Sequence, residues 1–107
     1  MQQSFIAENW RDENDNPAGG FVKGVGLDIQ WQSGPLAVDG VRKEPNGAFV
    51  ETVIAAAKQR IEEYQSSRFA CEENADAIVL LDLALKRLDY RTRRRVEAGV
   101  EGTHLGN

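Results

Sequence analysis

The chain has 107 residues, a formal net charge of −4 at pH 7 and 41% hydrophobic residues. A chain of this length forms one domain with a modest core and has little room for a deep private cleft. The acidic charge argues against general binding of nucleic acid polymers or anionic membranes. The hydrophobic content exceeds that of disordered chains, so most of the sequence should fold. The single cysteine, Cys71, excludes an internal disulfide, and we expect it to be a small buried helix residue.

Residues 1–20 carry little apolar pattern and predict an acidic N-terminal arm, a solvated segment pinned by Trp10. Asp12, Asn14 and Asn16 alternate as calcium ligands do. The glycine and the distal glutamate of a calcium loop are absent at the required offsets, so we predict no metal site. The sequence shows no signal-peptide pattern and no apolar run of membrane-spanning length, which predicts a soluble, unexported protein without a membrane partner.

Residues 21–45 predict a small β element. Its apolar residues alternate with polar ones at Leu27, Ile29 and Trp31. This alternation predicts one strand over residues 21–32 with a single buried face. Gly24 and Gly26 suggest a bulge or a close backbone approach in its first half, and no phosphate-loop or dinucleotide-binding motif follows them. The apolar residues around Asp39-Gly40 predict a small hairpin or a second short strand. Two or three strands cannot form a stable sheet alone, so the β element should pack on the helices or pair with another chain.

Residues 46–107 predict an antiparallel helical hairpin. The first helix should begin at the Asn46 cap and end near Ser67, and the second should run from about Cys71 to Ala98. Apolar residues recur three and four apart in the first helix at Phe49, Val50, Val53, Ile54, Ala57, Ile61 and Tyr64. They recur in the second at Ala75, Ile78, Leu81, Leu85, Leu88 and Val96. The short link forces antiparallel packing, and the predicted fold class is α+β.

The end of the second helix is strongly basic. Six cations and one acid, Asp89, lie between Lys86 and Arg95. Four of the cations share one face, at Arg87, Arg91, Arg94 and Arg95. Two explanations remain open: a solvated helix end paired with acidic neighbours, or an anion site, since arginine binds phosphate through two parallel hydrogen bonds. The only histidine, His104, lacks a nucleophile or an ordered acid nearby, so we predict no enzyme, no metal and no cofactor.

Several segments together resemble a known family. They are Ile29 to Pro35, Phe69 to Asn74, Ala84 to Leu88, Arg91 to Arg95 and Gly99 to His104. Over about residues 28–104 the chain resembles the helical-hairpin family of phage anti-defence proteins that includes Thoeris anti-defence protein one and anti-CBASS protein two. The acidic residues 1–20 lie outside this resemblance.

The resemblance implies a non-catalytic sponge in the cytoplasm of the infected bacterial host. Family members form homo-oligomers, often hexamers, and hold cyclic di- or trinucleotides or cyclic ADP-ribose isomers without cleaving them. Carried over position by position, the implied ligand residues are Phe69, Asn74, Arg91, Arg94, Thr103 and His104. Of these, Asn74 and Arg91 are the strongest candidates, and Phe69 would stack on a base.

Helix geometry adds an independent inference. Asn74 and Arg91 are seventeen residues apart, so on one straight helix they lie about 25 Å from each other. A compact cyclic nucleotide is much smaller, so shared contact requires two subunits in antiparallel association. The alternatives are an oligomeric structural or interaction protein without a ligand, a small nucleic-acid binder using residues 87–95, and a nuclease, which lacks an arguable metal or general base.

Overall fold

The computed structural model describes residues 4–97, which form two compact units, a strand unit (residues 4–49) and a helical unit (residues 50–97). The strand unit contains β1 (Ile6–Arg11), β2 (Pro17–Gly24), β3 (Leu27–Trp31), β4 (Ala37–Val38) and β5 (Val41–Arg42). The helical unit contains α1 (Val50–Gln65) and α2 (Glu72–Glu97). The predicted α+β class is confirmed.

The first 20 residues are not a loose arm. β1 and the beginning of β2 lie within them and pair antiparallel. The acidic residues between the strands close the connection, because the Asp12 carboxylate accepts hydrogen bonds from the backbone N–H groups of Asn14 and Asn16, both at 2.9 Å. The prediction was wrong here because every residue of β1 is exposed, so no buried face produces an apolar alternation.

The predicted single strand over residues 21–32 is a hairpin. β1, β2 and β3 form one antiparallel sheet in that order, and a two-residue turn, Val25-Gly26, joins β2 to β3. Gly26 has a φ of +71°, the left-handed conformation that glycine adopts readily. Gly26 therefore lies in the turn of a strand pair. The bulge predicted at Gly24 and Gly26 is not found, but the predicted close backbone approach is confirmed at Gly24, where a Cβ atom would lie 3.1 Å from the Ser4 carbonyl oxygen. The short hairpin predicted around Asp39-Gly40 is confirmed as β4 and β5.

Asn46 does not cap α1, contrary to the prediction. Its Oδ1 atom accepts a hydrogen bond from the Ser33 N–H at 2.8 Å, and its own N–H donates to Gln32 Oε1 at 2.8 Å. Ala48 then forms a parallel bridge with Trp31. The edge of β3 thus holds residues 46–48 in an extended conformation, and α1 begins only at Val50.

The helical unit agrees more closely with its prediction. α2 spans Glu72–Glu97, and α1 and α2 contact each other as a hairpin. An ion pair between Lys58 Nζ and Asp82 Oδ1 at 3.4 Å links the two helices near their middle. Among the side chains that the structure describes, those of residues 4–37 and 39–94, no hydrophobic one is fully buried. Two helices alone cannot enclose an apolar side chain from all directions, so the unit leaves apolar surface in contact with water.

Candidate functional site

The turn between α1 and α2 is held by side-chain hydrogen bonds. Ser67 Oγ donates to the Tyr64 carbonyl at 2.6 Å and accepts from the Phe69 N–H at 3.1 Å. Gln65 Oε1 accepts from the Cys71 N–H at 2.8 Å, which gives one of the unpaired donors before α2 a partner. These bonds fix the path of the chain, so Phe69 projects from a defined backbone.

Two of the predicted ligand residues meet at this turn. Asn74 lies in the first turn of α2, and its Nδ2 atom donates to the Phe69 carbonyl at 3.4 Å. The Phe69 ring is 62% exposed. An apolar ring this exposed offers an open face to a planar group such as a nucleobase, and the Asn74 amide beside it offers polar atoms that read base edges or ribose hydroxyls.

Each aromatic residue of the helical unit is exposed, and the guanidinium group of an arginine lies over its ring. The guanidinium carbons of Arg60, Arg68 and Arg87 lie 5.1, 4.7 and 5.4 Å from the ring centroids of Tyr64, Phe69 and Tyr90 respectively. Arg60 also donates to Tyr64 Oη at 3.4 Å, which raises the pKa of Arg60 above its usual value and keeps it charged. Tyr64 was predicted to lie in an apolar core stripe, and none of these pairs was predicted. Their only signal in the sequence is the spacing of one, three and four residues between arginine and aromatic residue.

The basic end of α2 presents exposed arginines. Arg91, Arg93 and Arg94 are all exposed, and Arg93 Nη2 forms an ion pair with Asp89 Oδ2 at 2.9 Å. Among the described side chains, those of residues 4–37 and 39–94, neither Arg91 nor Arg94 has an ion-pair or hydrogen-bond partner. Arg93 thus fits the first explanation, a solvated helix end paired with an acidic neighbour. Arg91 and Arg94 instead present guanidinium groups that match phosphate oxygens.

The structure leaves the predicted ligand residues in two places. Phe69 and Asn74 lie at the turn, whereas Arg91 and Arg94 lie in the last two turns of α2. α2 is one continuous helix, so the separation of about 25 Å between Asn74 and Arg91 applies to the folded chain. Thr103 and His104 fall outside the described residues.

Between the two ends, α2 carries an exposed surface that we call the outer face. Its apolar residues are Val79, Leu80, Leu83 and Tyr90, which are between 51% and 66% exposed. Arg87 and Arg91 belong to the same side of the helix, at seven and eleven residues from Leu80. The partly buried residues of α2 form another stripe at Ala77, Ile78, Leu81, Ala84, Leu85 and Leu88. α2 is therefore apolar on two sides, although α1 is only one partner.

Asp82 lies at the centre of an ion-pair network. A hydrogen-bonded ion pair with Lys86 at 3.2 Å, together with the pair to Lys58, lowers the pKa of Asp82 below its ordinary value of 3.8. The carboxylate is consequently ionised at neutral pH and joins both helices. Its ion pairs with Lys58 and Lys86 help to hold the two helices together, so we assign it a structural role.

Other features of the chain supply no site. Cys71 is exposed just before α2, so the expectation that it is buried was wrong. In the part of the chain with described side chains, up to Arg94, no cluster of three or more cysteine, histidine or acidic residues could hold a metal ion. Neither α1 nor α2 has the length and apolar character that a membrane-crossing helix needs.

Comparison with known proteins identifies the family. No family model matches the chain. It is 42% identical over 76 residues to a protein of Bacillus phage SBSphiJ7 named Thoeris anti-defense 1, and the match covers 71% of this chain and 51% of that protein. The chain belongs to the family of this phage anti-defence protein. This confirms the resemblance inferred from the sequence, and the chain spans about half the length of the curated relative it matches.

Proposed function

We propose that this chain helps a phage evade bacterial defence inside the infected cell by binding and sequestering cyclic nucleotide signals without cleaving them. The observation that carries the proposal is the 42% identity to a protein named Thoeris anti-defense 1. The exposed Phe69 ring, the Asn74 amide and the exposed arginines of α2 support it, because they are the groups that bind bases and phosphates. The ligand class comprises cyclic di- and trinucleotides, the signals of CBASS defence, and cyclic ADP-ribose isomers.

The ligand pocket requires two copies of the chain. Asn74 and Arg91 are too far apart on α2 to hold one small ligand, and the midpoint between them falls between Asp82 and Leu83. Antiparallel pairing of two α2 helices about that point brings Asn74 of one copy level with Arg91 of the other. The exposed Leu80 and Leu83 lie at this midpoint, so the same pairing covers apolar surface that one chain leaves in water.

Charge favours the same antiparallel arrangement. α2 begins with Glu72 and Glu73 and ends with an arginine-rich segment. In an antiparallel pair each acidic end lies beside the basic end of the other helix, whereas a parallel pair would place like charges together. The twofold arrangement gives two equivalent pockets per pair, and further association of pairs would produce the hexamer that the family resemblance implies.

In this pocket each residue has a defined role. Phe69 stacks on a base, Asn74 reads a base edge or a ribose hydroxyl, and Arg91 and Arg94 of the second copy hold phosphates. Sequestration then works by mass action, because the bound signal never reaches its effector. Thr103 and His104 remain candidates beside the phosphates on the strength of the family resemblance.

Retention of intact ligand tests the proposal. Purified protein is incubated with cyclic di-AMP, cyclic tri-AMP and cyclic ADP-ribose isomers, filtered, washed and then heated, and the released compounds are identified by mass spectrometry. We expect one or more compounds to be retained and released unchanged. Release of a cleaved product would replace sequestration with an enzymatic function. No retention, with an unchanged melting temperature, would favour an oligomeric structural or interaction protein, which the exposed outer face of α2 would also suit.

A further inference from the structure

The turn end of the helical unit has a single basic side chain. Arg68 is the only lysine or arginine between Ile61 and Leu85, a stretch that contains six acids. A phosphate that approached Phe69 and Asn74 would therefore be repelled by the acidic side chains and attracted only by Arg68. The second copy supplies Arg91 from one side only, so any cation on the side of the turn has to come from this residue.

The geometry of Arg68 is suited to two tasks. Its guanidinium carbon lies 4.7 Å above the centroid of the Phe69 ring, the shortest of the three arginine–aromatic distances in the helical unit. A planar guanidinium that stacks on a ring covers one ring face and still directs its N–H groups outward. Because one face of Phe69 is covered, a base is directed to the other face, and the N–H groups remain available for a phosphate.

We propose that Arg68 is a ligand contact of the same pocket, which fixes the Phe69 ring for stacking and holds a phosphate from the side opposite to Arg91. This inference rests on the proposed function. It makes the pocket a clamp with guanidinium groups from both copies, one at the turn and one at the basic end of α2. Such a clamp suits a ligand with at least two phosphates, since a single phosphate can engage only one of the two groups well.

Calorimetric titration with cyclic di-AMP and with cyclic ADP-ribose tests this inference. Arg68→Ala should weaken binding of the retained compound by roughly tenfold to hundredfold, the usual effect of losing a charge-assisted hydrogen bond. Arg68→Lys keeps the charge but not the planar fork and should recover part of the affinity. Arg68→Glu should bind more weakly than Arg68→Ala, because it repels the phosphate rather than merely releasing it.

The matched control is Lys23→Ala in the strand unit. Lys23 Nζ also lies over an aromatic ring, 5.4 Å from the Phe21 centroid, so this variant removes one charge and one cation–ring pair far along the chain from the turn. We expect it to bind as the unaltered protein does. Circular dichroism of each variant establishes that α1 and α2 still form.

The outcomes separate the two proposals. If the unaltered protein binds neither compound, the proposed function fails and this inference fails with it. If the unaltered protein binds and Arg68→Ala binds equally well, only the role of Arg68 is overturned. If Arg68→Ala and Arg68→Glu are equally weak, Arg68 does not contact a phosphate and the inference is also overturned. A graded loss, with glutamate weakest and lysine strongest, supports it.

Discussion

The strand unit and the helical unit are stabilised at different ranges along the chain. In the strand unit, Asn46 bonds to Gln32 and Ser33, and Gly20 lies against Glu8, so pairing joins residues more than ten positions apart. In the helical unit most hydrogen bonds and ion pairs span three or four residues, as between Asp89 and Arg93. The hydrogen bonds of a helix lie within the helix, so α2 remains regular although Val79, Leu80 and Leu83 on one side are exposed.

The largest expected effect is loss of assembly from one substitution on the outer face. Leu83→Asp places a charge beside the proposed twofold axis, where each copy would bury it against the other. Leu83 is 51% exposed in the chain, so the hairpin itself should still form. We expect a single-chain particle by light scattering, with helical circular dichroism retained and ligand retention lost.

Val25→Asp is the control for that experiment. Val25 is fully exposed at the β2–β3 turn and lies in the strand unit. An equally large assembly in the Leu83→Asp variant would exclude the outer face of α2 as the contact between copies. An assembly that Val25→Asp also disrupted would show that the strand unit takes part in it.

The second effect concerns ligand binding with the assembly intact. Arg91→Ala should weaken binding of the retained compound by roughly a hundredfold, enough for the ligand to be lost on washing, because a phosphate loses its bidentate partner. Arg93→Ala is the matched variant, since Arg93 is engaged with Asp89. Calorimetry and light scattering measure both properties. Unchanged affinity in Arg91→Ala would remove this residue from the pocket.

The third effect is confined to the strand unit. Gly20 has a φ of +140°, and a Cβ atom there would overlap the Glu8 carbonyl oxygen on the neighbouring strand. Gly20→Ala should therefore lower stability by roughly 2 to 4 kcal/mol. Gly26 also has a positive φ, at +71°, but a Cβ atom there would meet nothing within 4 Å. Gly26→Ala should therefore lower the free energy of unfolding by only about 1 kcal/mol.

Thermal melting and hydrogen exchange compare these two glycine variants. Loss of amide protection in Gly20→Ala should be concentrated in β1, β2 and β3, with α1 and α2 retaining theirs. Equal melting temperatures for the two variants would mean that β1 adjusts to the added methyl group. The long-range contacts that stabilise the strand unit would then be the side-chain hydrogen bonds of Asn46 rather than the close approach of Gly20 to Glu8.

The smallest effect is the pH dependence of the interhelical ion pair. The lowered pKa of Asp82 means that its contribution is complete above about pH 4 and is lost as the pH falls through its folded-state pKa. Asp82→Asn should lower the melting temperature by at most about 3 °C at pH 7, because the pair is partly exposed. The difference from the unaltered protein should shrink below pH 4. A difference that stayed constant as the pH was lowered would assign the effect to packing rather than to charge.

The helical hairpin could be predicted closely, whereas the strand unit could not. Spacings of three and four residues located α2 to within one residue of its observed start. By contrast, the exposed β1 has no apolar alternation. The glycines beside the two-residue turn predict a bulge or a close backbone approach rather than a turn, and Asn46, predicted as the cap of α1, bonds to Ser33 instead. The errors at β1 and at Asn46 concern pairings between residues distant in the sequence, which short-range pattern does not encode.

The candidate site residues come from the sequence, and their arrangement comes from the structure. The phage-family motifs pointed to Phe69, Asn74, Arg91 and Arg94, and the structure brings only Phe69 and Asn74 together. Arg68 was not among the predicted ligand residues, because a single arginine in an acidic stretch is typical of a solvated surface charge. Its stacking on Phe69 depends on the path of the turn, which Ser67 and Gln65 hold through hydrogen bonds.

The sequence by itself determined the α+β class, the extent of α2 and the family, because helical periodicity and distinctive motifs are local properties of the chain. Only the tertiary structure decided which apolar residues of α2 meet α1 and which stay in water. A helix with apolar residues on two sides has no intrinsic preference for one of them. Once α1 occupies the side of Ile78 and Leu85, Leu80 and Leu83 remain exposed beside Arg91.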